Sequence, residues 1–305
     1  MVSNTIGETA AIVTSCLWTF NSILFASAGK RIGSFSVNAY RIVIAVGLLA
    51  ATHTVLLGTL LPVATNEQWF WIGLSGIVGL GIGDFGLFAA FVVIGPRRSV
   101  LVMALSPIFA SIGAYLMLAE IVPSLATIGI AITLTGVTVV MLEKQEYSEE
   151  EATSKRLKIW GVSLALVGAI GQGIGLVLAK KGIYLDPNSM LNPLSATLIR
   201  MTLGALFVWI CALIAGKLRE LRKALKNRKG IKYTAAGAFI GPFMGVTLSM
   251  VAVTYTQAGI AQTLMSLMPV LIIPVVWVLY GQRTSWRGIL GAVAAVVGVA
   301  ILFLS

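Results

Sequence analysis

Ten stretches of 18 or more mostly apolar residues fill this 305-residue chain. Each is long enough to cross a ~30 Å hydrocarbon core as a helix, and in lipid a helix satisfies its own backbone. They run Thr9–Ala28, Ser36–Leu57, Trp69–Ile94, Ser99–Leu118, Ser124–Leu142, Ile159–Ile183, Pro193–Ala215, Tyr233–Tyr255, Ile260–Tyr280 and Arg287–Leu304. Only 11% of the residues are charged, under half the roughly 25% of a soluble domain. A soluble globular enzyme is excluded. The expected fold class is an all-α polytopic membrane protein with ten transmembrane helices.

The longest polar interruption, Glu143–Lys158, falls at mid-chain and reads EKQEYSEEEATSKRLK. Such a stretch cannot bury apolar surface and reads as a solvated linker. It divides the chain into two five-helix repeats, residues 1–142 and 159–305, joined by a linker over 143–158. A shift of 162 residues superposes Pro107 on Pro269, Gly79 on Gly241, Gly83 on Gly245, Gly129 on Gly291 and Gly136 on Gly298. Glycines set how closely helices approach, and a proline interrupts the backbone ladder, so these coincidences carry structural weight. An odd number of spans per repeat inserts the second half upside down. Inverted repeats are the build of many secondary transporters, with the solute site at the membrane midplane between halves.

The net charge of +11 would suggest nucleic acid in a soluble protein. Here 18 of the 22 basic residues lie in loops after odd-numbered spans, and only Lys180 and Lys181 lie in the others. Cytoplasmic loops carry the excess of lysine and arginine, so both termini are expected outside a plasma or inner membrane. The run KLRELRKALKNRKGIK would then face anionic lipid headgroups. No nucleic-acid partner is expected. Cys16 and Cys211 both fall inside apolar runs, which makes a disulfide framework unexpected.

The third to fifth spans contain GIVGLGIGDFGLFAAFVVIGPRRSVLVMALSPIFASIGAYLMLAE and then GIAITLTGVTVV. The glycine-rich third helix with its Gly-Asp, the Gly-Pro-Arg-Arg-Ser turn, Pro107 and Glu120 resemble the drug/metabolite transporter superfamily. The resemblance is to its ten-helix carriers with two EamA-type repeats, and it covers nearly the whole chain. The second half repeats the pattern with Pro269, Gly291 and Gly298, but carries Gln282 where the family has an acid. Arg41 and Arg200 sit where the family's second and seventh helices carry arginines. What the resemblance implies is a carrier of small organic metabolites, often an exporter of amino acids or related compounds. The superfamily also contains sugar-phosphate and nucleotide-sugar exchangers, which are the alternative within transport.

Polar residues inside the spans are the candidate site. A carboxylate in a membrane costs about 2.5–3.5 kcal/mol on insertion scales and marks a functional position or a pair. Asp84 lies roughly 15 Å deep, at 1.5 Å per helical residue. Arg41 enters from the same membrane side and is its expected partner. Asp84 either contacts a substrate amine, or titrates with a proton as coupling ion, or is a static structural pair. Arg41 and Arg200 have the planar donor fork that suits a carboxylate, although each is near enough to a span end to reach the interface. Asn21, Gln172 and Gln262 can bond a solute or a neighbouring helix. Pro107, Pro269 and Pro274 free backbone carbonyls, which lipid tolerates only where they line protein or a cavity. Glu120, at a helix end, reads as solvated or capping.

The remaining motifs point nowhere. Gly81–Gly86 matches GxGxxG but lies within an apolar span, where helix packing explains it. Gly73-Leu-Ser75-Gly76 has the form of an intramembrane serine protease motif, and His53 is the one histidine available as its base. An intramembrane enzyme using these residues is the alternative from another class. The expected protein is a non-enzymatic, cofactor-free secondary carrier in membrane lipid, monomeric or homodimeric. It binds no metal.

Overall fold

The structure is a computed structural model that describes residues 2–142, 155–185, 190–271, 273 and 285–304. The expected linker, apart from 155–158, together with Pro274 and Gln282, lies outside the described residues. The described chain is helical without strands, and eight helices are long and apolar enough to cross a membrane. The expected fourth and ninth spans coincide with shorter apolar helices, Ser106–Leu118 and Ala258–Leu271.

Helix α1 is Val2–Ile32 and α2 is Ser34–Leu57. Helix α3, Asn66–Gly76, starts on a capping box in which Thr65 and Gln68 bond each other's backbone. It passes through a π-helical stretch, Ile77–Gly83, into α4, Asp84–Met103. Then come α5 (Ser106–Leu118), α6 (Ser124–Leu142), α7 (Lys155–Ile183) and α8 (Pro193–Ile214). A short basic helix α9, Leu218–Leu225, leads to α10, Arg228–Ala238. A second π stretch, Phe239–Gly245, feeds α11, Val246–Tyr255, followed by α12, Ala258–Met265, and α13, Trp286–Phe303.

The irregularities recur at the offset read from sequence. Residues 77–83 and 239–245 are both π-helical, and both stretches lie 162 residues apart. Helices α4 and α12 end at Met103 and Met265, again 162 apart. In each case the residue four positions on is proline, Pro107 or Pro269, which has no N–H for that carbonyl. The two prolines therefore do break their helices. The charged turn expected at Gly95–Arg98 is absent: the backbone is helical through Met103. Pro96 removes a single bond there, and the apolar residues from Ser99 onward continue the helix.

Packing crosses between the halves. Helix α1 lies against α10, the second π stretch and α11, while α7 lies against α3, the first π stretch, α4 and α5. Helix α2 packs on α8 and α6 on α13. Two glycine pairs make the last contact: Gly129 meets Gly298 and Gly136 meets Gly291. Their order makes the two helices antiparallel. A side chain at Gly136 would collide with Gly291 and Ala295 backbone, so Gly136→Leu should destabilise the protein by about 1–3 kcal/mol through overpacking. Thermal unfolding in detergent checks this against Gly47→Ala, where nothing lies within 4 Å.

The surface is that of a protein in lipid. Val55, Leu116, Ile214 and Leu304 are exposed, and such contiguous apolar surface is foreign to soluble monomers. The interior joins small residues and polar groups to large buried apolar side chains such as Ile42, Leu49, Ile199, Met250 and Leu264.

Candidate functional site

Asp84 is the first residue of α4, directly after the first π stretch, and only 5% of its surface is exposed. Glycines 79, 81 and 83 fill that stretch. Gly79 and Gly83 let α7 approach until Gly171 touches Gly83 and Gly175 touches Gly79, while Gly81 faces Phe207 of α8. This approach carries Gln172 to the carboxylate: its amide Nε2 donates to Asp84 Oδ1 at 2.7 Å and to the Gly79 carbonyl at 3.3 Å. From α2, Arg41 donates to Asp84 Oδ2 and forms an ion pair with it. Asn38 holds the Arg41 Nε at 2.8 Å, and the Phe25 and Phe88 rings lie 5.5 Å from the guanidinium on its other sides. Asp84 thus accepts one donor on each oxygen, and Arg41 is fixed by an amide and two aromatic faces.

Arg200 approaches the same place from α8. Its guanidinium lies against Gly79, and its charge acts on Asp84. It does not reach the interface: 3% of its surface is exposed. Its one hydrogen bond among the described residues is a long one, 3.4 Å to the Gly175 carbonyl, and its Nε has no partner among them. Among the described residues, the buried Arg200 and the part-buried Arg41 therefore share one buried carboxylate, leaving one positive charge unmatched.

The other expected residues are elsewhere. Asn21 packs against Gly237 and Gly241 beside the second π stretch, with its Oδ1 unpartnered. Gln262 donates to Ser106 Oγ at 2.9 Å, joining α12 to the start of α5. Pro107 is buried on α5 near that bond, and Pro269 follows the matching break. His53 is not beside Ser75. Its Nε2 lies 2.9 Å from Ser195 Oγ, while Ser75 bonds the Ile72 carbonyl. Glu120 is not solvated: it pairs with Lys180 at 2.5 Å and accepts from the Ala258 N–H at 3.0 Å, capping α12. Lys180 also donates to the Thr256 carbonyl at 2.6 Å. Sequence reasoning misses Lys180, because a Lys-Lys pair ending an apolar run reads as part of the following loop. Its position one turn after the buried Leu176 is the available signal.

A family model for EamA-like transporters matches residues 5–142 and again residues 159–304. The chain belongs to the EamA-like transporter family. It is accordingly a multi-pass membrane transporter of the drug/metabolite type. Comparison of this EamA-like protein with curated proteins gives no match. Among solved structures, one described as "Crystal structure of protein" is similar to it with a TM-score of 0.76 and 17% identity. That similarity covers 100% of this chain and 96% of the other, and it establishes the fold alone.

Proposed function

We propose that this EamA-like protein is a secondary-active exporter of small organic solutes bearing one carboxylate, such as amino acids and related compounds. The observation that carries the substrate class is the unmatched positive charge of Arg200 beside the Arg41–Asp84–Gln172 cluster. A buried ion is costly without a partner, and a planar guanidinium fork matches a carboxylate. A substrate carboxylate supplies that partner, and a substrate amine has Asp84 nearby. Sugar phosphates bring two negative charges, and Arg41 is already committed to Asp84. Export follows the family resemblance.

We further read residues 1–142 and 159–305 as two inverted repeats that rock against each other in alternating access. The reciprocal pairing of Gly129 with Gly298 and Gly136 with Gly291 supports this, since each contact maps onto the other under the 162-residue offset. In this reading both termini are outside, Asn21 and Gln262 flank the path, and a proton is the coupling ion. The test is an extracellular metabolite profile of cells overexpressing the protein, set against cells carrying the empty vector. Accumulation of a small set of amino acids or other monocarboxylates is the expected result. Accumulation confined to phosphorylated or cationic compounds would overturn the substrate class, and an unchanged profile would overturn export.

A further inference from the structure

A cavity of about 290 Å³ opens where the end of α2, the loop before α3 and the start of α8 meet. It shares no residue with the Asp84 cluster. Five of its nine lining residues are polar: His53, Thr59, Gln68, Asn192 and Ser195. The rest are apolar, among them Val63 and Met190, and none is an acid, a lysine or an arginine.

Two local facts define what this lining offers. Gln68 is 3% exposed and uses only half of its amide. Its Oε1 accepts from the Thr65 N–H at 2.9 Å in the capping box, while its Nε2 is buried without a partner. A buried N–H pair left unsatisfied is costly, and a ligand that accepts from it removes that cost. His53 is the second fact. Its Nδ1 lies 2.6 Å from the Thr59 carbonyl. A carbonyl only accepts, so in the neutral ring Nδ1 carries the hydrogen and Nε2 accepts from Ser195 Oγ at 2.9 Å. The Ser195 oxygen is thereby turned into an acceptor for whatever enters the cavity.

We infer that this cavity is a binding site for a small uncharged amphiphile whose head offers both an acceptor and a donor, as a primary amide does. The head accepts from Gln68 and donates to Ser195, and the apolar body lies on Val63 and Met190. An anion or cation is disfavoured because no opposite charge lines the cavity to replace its lost hydration.

The test uses the full-length protein in lipid nanodiscs, with hexanamide as probe and hexanoate at pH 8 as its charged counterpart. Saturation-transfer NMR should show hexanamide contacting the protein above the level of empty nanodiscs, and hexanoate not. Gln68→Glu keeps an acceptor oxygen for Thr65 and removes the donor, so it should bring the signal to the empty-disc level. Ser195→Ala removes the acceptor offered to the head and should lower the signal at least severalfold, which keeps the test decisive where Gln68→Glu folds poorly. A hexanamide signal that survives in folded Gln68→Glu or stays undiminished in folded Ser195→Ala overturns the site, as does its absence from the native protein. A hexanoate signal equal to that of hexanamide overturns the uncharged class.

Discussion

Asp84→Ala will abolish solute flux and destabilise the protein by about 3–5 kcal/mol, the cost of removing one partner of a buried ion pair. The loss has identifiable parts. Arg41 keeps its bond to Asn38 but loses its counter-ion, Gln172 loses its 2.7 Å acceptor, and Arg200 loses the one carboxylate acting on it. Three charges summing to +1 become two summing to +2 in a water-poor interior. The double variant Arg41→Met/Asp84→Ala returns the cluster to +1, so most of the stability should come back. Flux should not, because the double variant still lacks the carboxylate proposed to meet a substrate amine. Detergent melting curves and uptake into proteoliposomes of equal protein content separate the two effects. If the double variant transports at the native rate, Asp84 serves only to neutralise Arg41, and its part in solute handling is withdrawn.

The parts of this arrangement that are periodic or local are legible in the sequence. The 162-residue offset is written in glycines and prolines, and the same residues produce the paired π stretches and the paired helix ends at Met103 and Met265. Arg41 and Asp84 are pairable on sight because both enter from one membrane side. Gln172 is visible as a polar residue in a span, but its bond to Asp84 depends on α7 of one half packing against the third unit of the other. No spacing within the chain encodes that exchange. The same holds for Arg200, whose depth along α8 permits an escape to the interface that the close approach of Gly76 and Gly79 forecloses. His53 pairs with a serine 142 positions away, not with the motif serine nearer in sequence.

Lys180→Met is expected to cost about 3 kcal/mol, the lower end for a broken buried pair because the Lys180 and Glu120 side chains retain 11% and 15% exposure. The larger consequence is conformational. Glu120 at the end of α5 binds Lys180 at the end of α7 and caps α12, Lys180 binds the Thr256 carbonyl, and Gln257 reaches the Ile121 carbonyl at 3.2 Å. Together these bonds tie the ends of α5, α7, α11 and α12 at one membrane face. In a carrier that alternates, this face opens only when they break, so weakening them favours the open form. A cysteine at Ala114, 1% exposed on α5, reports the opening once Cys16 and Cys211 are replaced. Its reaction with a membrane-impermeant thiol reagent should be about tenfold faster in Lys180→Met, equivalent to about 1.4 kcal/mol of the lost stabilisation falling on the closed form alone. Glu120→Gln keeps the oxygen that caps α12 and should give a smaller acceleration. Equal labelling rates in native and Lys180→Met proteins would make the pair a static brace, because a bond broken during opening cannot be removed without shifting the equilibrium it holds.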